Sequence, residues 1–273
     1  MTKDLVETLE RKIGGRLSKK AKNEIKNLED DFLTEYWQYV PRSVQWSNGE
    51  WNVECQTKQA SIVATKLTAL TKSNGLPIVG LDRIYVLEAE RYLEVTRQTD
   101  PKTGKIRLAE RPGCLALEEQ MANLRDEYRQ IALADVGAFE GKTVLTLCAM
   151  LADNGIDVTN VYLGFMNKEL LTAEKVRSIS VVPKVSVLET MRLYEWIELR
   201  DLFGIDGRCV GTKNGRKAFM PYWENLKWAS VPEKNIPSTA TLCKEYNKKL
   251  LSVLERDSFD TSKIGLVVKW GAT

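Results

Sequence analysis

The sequence predicts an α/β fold built on a mainly parallel sheet, with helical additions at the N- and C-terminal ends. Three observations carry this. Residues 131–165 read as strand, loop, helix and strand, with turn residues at each joint. Both ends of the chain place apolar residues at helical spacing. The 273 residues, 43% hydrophobic and 28% charged, can bury a large core without disulfides or a structural metal.

From the N-terminus, Leu5, Leu9 and Ile13 are spaced by four, and Gly14-Gly15 breaks the run. Ser18 then caps a second helix with Ile25, Leu28, Phe32 and Tyr36 on its apolar face; the charges between them read as a solvated face. Residues 43–54 carry Asn48-Gly49 between Trp46 and Trp51, a hairpin signal. Residues 57–72 read as a helix stopped by Asn74-Gly75. These sections form an expected N-terminal region, 1–75.

The expected core is 76–184. Pro77–Leu87 reads as one or two short strands, and Arg91–Arg97 as another. Residues 98–108, with Asp100-Pro101 and Thr103-Gly104, read as an exposed turn or hairpin bearing Lys102, Lys105 and Arg107. A charged helix over 117–129 leads to strand 131–134, loop 135–141, helix 142–153, the stop Asn154-Gly155 and strand 158–165. A helix near 168–177 and a strand near 179–182 extend the pattern. In the C-terminal section, 185–273, a long helix is expected over 186–203, ending at Gly204. An irregular or β region follows at 205–235, then a helix over 238–255.

The composition also excludes chemistry. There is no histidine, so Ser-His-Asp and Cys-His nucleophiles and His-bearing metal sites are ruled out. Cys55, Cys114, Cys148, Cys209 and Cys243 form no C-x-x-C pair and read as reduced thiols. No apolar run is long enough to span a bilayer and no signal peptide is evident, so a cytoplasmic protein without a membrane partner is expected.

The chemistry concentrates in Ile131–Thr143. An apolar strand delivers Asp135, and Gly141-Lys142-Thr143 opens a helix. Amides at a helix start lack intrahelical partners and sit at the positive pole of the macrodipole, which suits a phosphate. Gly137 is placed for a positive φ and Gly141 for a close backbone approach. A Walker A loop is a poor reading: Val136 stands where its first Gly belongs, and no later strand ends in an Asp for Mg²⁺.

The segment resembles the ribose-phosphate loop of type I phosphoribosyltransferases. Asp135 matches the first of two acids, and Gly141 and Thr143 match the turn. Val136 replaces the second acid, and Phe139, Glu140 and Lys142 replace residues that are small or hydroxylic in that family. The resemblance implies a phosphoribosyltransferase-type sheet over 76–184. It implies a 5′-phosphate held by residues 139–143, ribose hydroxyls and any Mg²⁺ contacted by Asp135, and a hairpin whose Lys102, Lys105 and Arg107 cover a pyrophosphate. The expected ligand is 5-phosphoribosyl 1-pyrophosphate or a nucleotide, with phosphoribosyl transfer to or from a base as the enzymatic reading. The alternative is a non-catalytic member of the fold, acting as nucleotide sensor or partner in an assembly. A further candidate is single-stranded nucleic acid bound by the 208–228 strip through Arg208, Lys213, Arg216 and Lys217. Its bland counterpart is a solvated basic hairpin. A homodimer is left open.

Overall fold

The computed structural model describes residues 2–3, 5–39, 58–72, 75–100, 103–138, 140–167, 183–191, 198–205, 207–211, 217–226, 231 and 233–261. The expected Trp46–Trp51 hairpin and the elements expected at 168–182 lie outside them. Two compact units are formed, one from residues 1–59 and 194–273, the other from 60–193.

The first unit is mainly helical. Strands β1 (Thr2–Lys3) and β2 (Lys58–Gln59) pair in parallel. Helix α1 (Leu5–Ile13) and helix α2 (Lys19–Tyr39) follow the two apolar periodicities of the sequence. The unit's other described elements are α6 (Leu199–Leu202), the hairpin β10 (Arg208–Gly211) and β11 (Lys217–Met220), and α7 (Ile236–Arg256). Helix α7 runs antiparallel to α2. Arg256 pairs with Glu24 near one end, and the Tyr246 hydroxyl donates to Glu35 Oε1 at 2.5 Å nearer the other. Phe32, Phe203 and Tyr246 fill the seam; the Phe32 ring is 4.9 Å from Phe203 and 5.3 Å from Tyr246.

Glu29 is 4% exposed in this core, and its Oε1 accepts from the Leu5 N–H at 3.1 Å. A carboxylate on α2 thus takes an orphan amide from the start of α1. Glu29→Ala is expected to destabilise the protein by about 2 kcal/mol, and Glu29→Gln by less, because an acceptor is retained. Urea denaturation followed by far-UV circular dichroism checks this.

The second unit holds five parallel strands in the order β4, β3, β7, β8, β9. These are β3 (Ile78–Gly80), β4 (Arg91–Tyr92), β7 (Gln130–Ala138), β8 (Asp157–Asn167) and β9 (Lys184–Met191). The crossover from β7 to β8 is helix α5 (Lys142–Asp153), and the two strands are parallel neighbours, as expected. Helices α4 (Leu117–Glu127) and α5 share a cluster with Leu133, Val161 and Leu163, while Val63 of α3 (Ala60–Thr71) faces Gly164. Val161 to Asn167 is buried throughout, since the sheet is covered on both faces. Between β4 and α4, β5 (Val95–Thr99) and β6 (Ile106–Glu110) form the expected antiparallel hairpin.

Two expectations are corrected. The long helix expected over 186–203 is not formed. Residues 184–191 are strand β9, and only Leu199–Leu202 is helical in the described remainder. Val185, Val187 and Thr190 are β-branched, and pairing with β8 from Asn160 to Asn167 outweighs a weak helical periodicity. The loop expected over 135–141 is also shorter. Strand β7 continues to Ala138 because β8 extends alongside it, with Gly137 opposite Phe165 and Ala138 opposite Met166.

Candidate functional site at the carboxyl edge of the sheet

From β3 the chain first adds β4 on one side and later β7 on the other. The β3/β7 junction is therefore a topological switch point, where the carboxyl ends of the strands leave a crevice suited to ligands. Gly80 is opposite Ala134, and the Leu81 N–H donates to Ala134 O at 2.9 Å. Asp135 is thus the first residue of β7 beyond the paired end of β3. It is half-buried, and its Oδ1 accepts from the Val136 N–H at 2.8 Å.

The strand then reaches the opening of α5. Gly141 is the N-cap residue, with φ 68° and ψ −13° in the left-handed region. That conformation costs an L side chain about 1–2 kcal/mol, and it turns the chain sharply from β7 into α5. The first hydrogen bond of the helix is Leu145 N–H to Gly141 O at 2.9 Å, so the amides of Lys142, Thr143 and Val144 have no partner within it. Glu140 and Lys142, both exposed, form an ion pair of 2.6 Å beside this turn. Gly137, expected to take a positive φ, is in the strand, and the positive φ falls instead at Gly141.

A second group, absent from the residues expected from sequence, lies where β3 ends. The turn is made instead by Asp82, whose Oδ1 accepts from the Ile84 N–H at 2.8 Å and whose carbonyl accepts from the Val86 N–H at 2.9 Å. It presents Arg83, which pairs with Glu94 and lies 4.2 Å from the Tyr92 ring centroid. Arg111, just after β6, reaches Glu94 Oε2 at 3.7 Å and Leu81 O at 3.4 Å. Two guanidiniums thus meet at one carboxylate beside the end of β3. A readable signal was arginines bracketing the hairpin at 83 and 111.

No protein-family model matches the chain, and no curated protein matches it at a significant level.

The other expected site residues are placed as follows. Lys105 and Arg107 are exposed on the β5–β6 hairpin, where Arg107 Nε donates to Gln98 Oε1 at 3.1 Å. Thr143 is in the first turn of α5. Lys102, Phe139, Lys213 and Arg216 lie outside the described residues. In the basic strip, Arg208 is 7% exposed within β10 and Lys217 is half-buried in β11. Arg208 is therefore part of the packing of its unit rather than a surface cation.

Among the described residues, no three of His, Cys, Asp or Glu converge as a metal cluster. A Mg²⁺ that arrives with a pyrophosphate keeps several waters and takes one or two carboxylates, and Asp135 fits that smaller requirement. Among the described residues no helix is long and apolar enough to cross a membrane.

Proposed function

We propose that the protein binds a phosphorylated ribose at the carboxyl edge of its five-stranded sheet. The observation that carries this is the left-handed Gly141 beyond the carboxyl end of β7, opening α5 with three amides unused by the helix. A 5′-phosphate there meets N–H donors and the positive end of the helix, and Thr143 adds a hydroxyl. Asp135, on β7 just past the end of β3, accepts from the ribose hydroxyls. Arg83 and Arg111 are the cations offered for a second phosphate, on C1 of the ribose. Their charge is suited to a departing pyrophosphate, and a bound Mg²⁺ would supply further charge neutralisation, with Asp135 as its protein ligand.

Binding without transfer is the reading favoured for the resting protein. Val136 stands where a second acid would assist the ribose, and Asp135 already spends one oxygen on its neighbour's amide. Calorimetry with ribose 5-phosphate, 5-phosphoribosyl 1-pyrophosphate and adenosine 5′-monophosphate, each with and without Mg²⁺, tests the proposal. At least one should bind with Kd below about 1 mM, equivalent to roughly 4 kcal/mol. Asp135→Asn should weaken that ligand about tenfold, the value of one charge-assisted hydrogen bond. Absence of binding by all three overturns the reading. Pyrophosphate release with added bases distinguishes transfer from binding.

A further inference from the structure

Helix α2 has a charge distribution opposed to its own stability. Its exposed face is formed by Lys19, Lys20, Asn23, Lys26, Asn27, Asp30, Asp31 and Thr34, which a period of 3.6 places on one side. The cations occupy the first two turns and the acids follow. Lys19 and Lys20, in the first turn, oppose the macrodipole, which favours acids at the N-terminus, by about 0.3–1 kcal/mol each. Arg16, exposed in the turn between α1 and α2, adds to the positive end. The nearby carboxylates each have a partner other than Lys19, Lys20 or Lys26. Glu10 accepts from the Leu17 N–H at 2.9 Å and pairs with Lys22 at 2.7 Å, Glu24 pairs with Arg256, and Asp257 accepts from the Ser18 N–H at 2.9 Å.

We propose that this face binds duplex DNA, with the N-terminal half of α2 directed at the major groove. Three occupants would meet the charge, and physical magnitudes separate them. A second copy of the chain could place its Asp30 and Asp31 against these lysines. Exposed ion pairs contribute only about 0–1 kcal/mol each, however, against an association cost of about 4–15 kcal/mol. A lipid surface would need apolar side chains to insert. The only large exposed one on these two helices is Tyr39, at the opposite end of α2. A polyanion releases its condensed counterions when cations replace them, so several exposed lysines suffice. Asn23 and Asn27 lie between the lysines, and an asparagine amide can read the donor–acceptor edge of an adenine. The major groove of B-form DNA admits a helix, whereas that of A-form RNA does not.

Fluorescence anisotropy of a labelled 24-base-pair duplex with the full chain tests this. With four phosphate contacts, from Arg16, Lys19, Lys20 and Lys26, log K should fall against log salt with a slope near −3.6, about a hundredfold loss from 50 to 200 mM. The K19E/K20E/K26E variant should lower that slope by about three and lose binding at least tenfold at 50 mM salt. Its helix content should be retained, since acids suit that end of α2. A second variant, D30N/D31N, should bind more tightly. No binding by the native chain below about 10 μM at 50 mM salt overturns the proposal, that limit corresponding to about 7 kcal/mol. So does unchanged binding in either variant, or tighter binding to anionic vesicles or single-stranded RNA than to the duplex.

Discussion

Gly141→Val is expected to remove phosphorylated-ribose binding altogether, a loss of at least about a hundredfold, while leaving the protein folded. The residue holds φ 68° at the N-cap of α5. Valine is β-branched and disfavours that region strongly, so the turn between Ala138 and Lys142 would rearrange. The amides of residues 142–144 would then no longer converge, and the added methyl groups would stand where a phosphate approaches. Gly141→Ala should give a smaller loss, because alanine carries only the single Cβ penalty. Stability should fall by about 1–2 kcal/mol in either case, since Leu147 and Leu151 still anchor α5 in the core. Calorimetry with the ligand that binds the native protein, paired with thermal denaturation, separates the two effects. Unchanged affinity in Gly141→Val would remove the α5 opening from the site.

Gly204→Ala should be strongly destabilising in the helical unit, costing about 3 kcal/mol or more. Gly204 follows α6 with φ 68°. The Ile205 N–H donates to Arg200 O at 3.0 Å and the Gly204 N–H to Asp201 O at 3.4 Å, the paired bonds of a Schellman stop. A Cβ at this position would overlap the Trp223 ring at Cη2 and lie 2.7 Å from its Cζ3. Backbone strain and overlap with a buried indole therefore add. The ring cannot withdraw freely, because Trp223 belongs to the same core cluster as Phe203 and Leu226. Urea denaturation should show a lowered midpoint. A midpoint within experimental error of the native protein would mean that the α6 stop and the indole relax together.

Much of the fold is legible in the residues because the signals are local. Helix α5 matches its expected span, since Gly141 and Asn154-Gly155 bracket an unbroken apolar run. The β5–β6 hairpin follows from Asp100-Pro101 and Thr103-Gly104. The capped start of α2 follows from Ser18, whose Oγ accepts from the Ala21 N–H at 3.1 Å. Strand β9 was not legible, because Lys184–Met191 carries weak signals of both periods and only the open edge of β8 decides between them.

The candidate site divides in the same way. The opening of α5 could be read from Asp135, Gly141 and Thr143, because backbone chemistry there depends on neighbouring residues. Arg83 and Arg111 could not be placed, since they are 28 positions apart and meet at Glu94 only once β3 and the hairpin are folded. The sequence by itself determined the α/β class, the β7–α5–β8 unit and the residues of its turn. Tertiary structure alone decided that the N- and C-terminal sections share one core and that β7 runs on to Ala138. The physical reason is range. Caps, turns and periodicity act over a few residues, whereas strand pairing and a shared core depend on which distant segments are brought together.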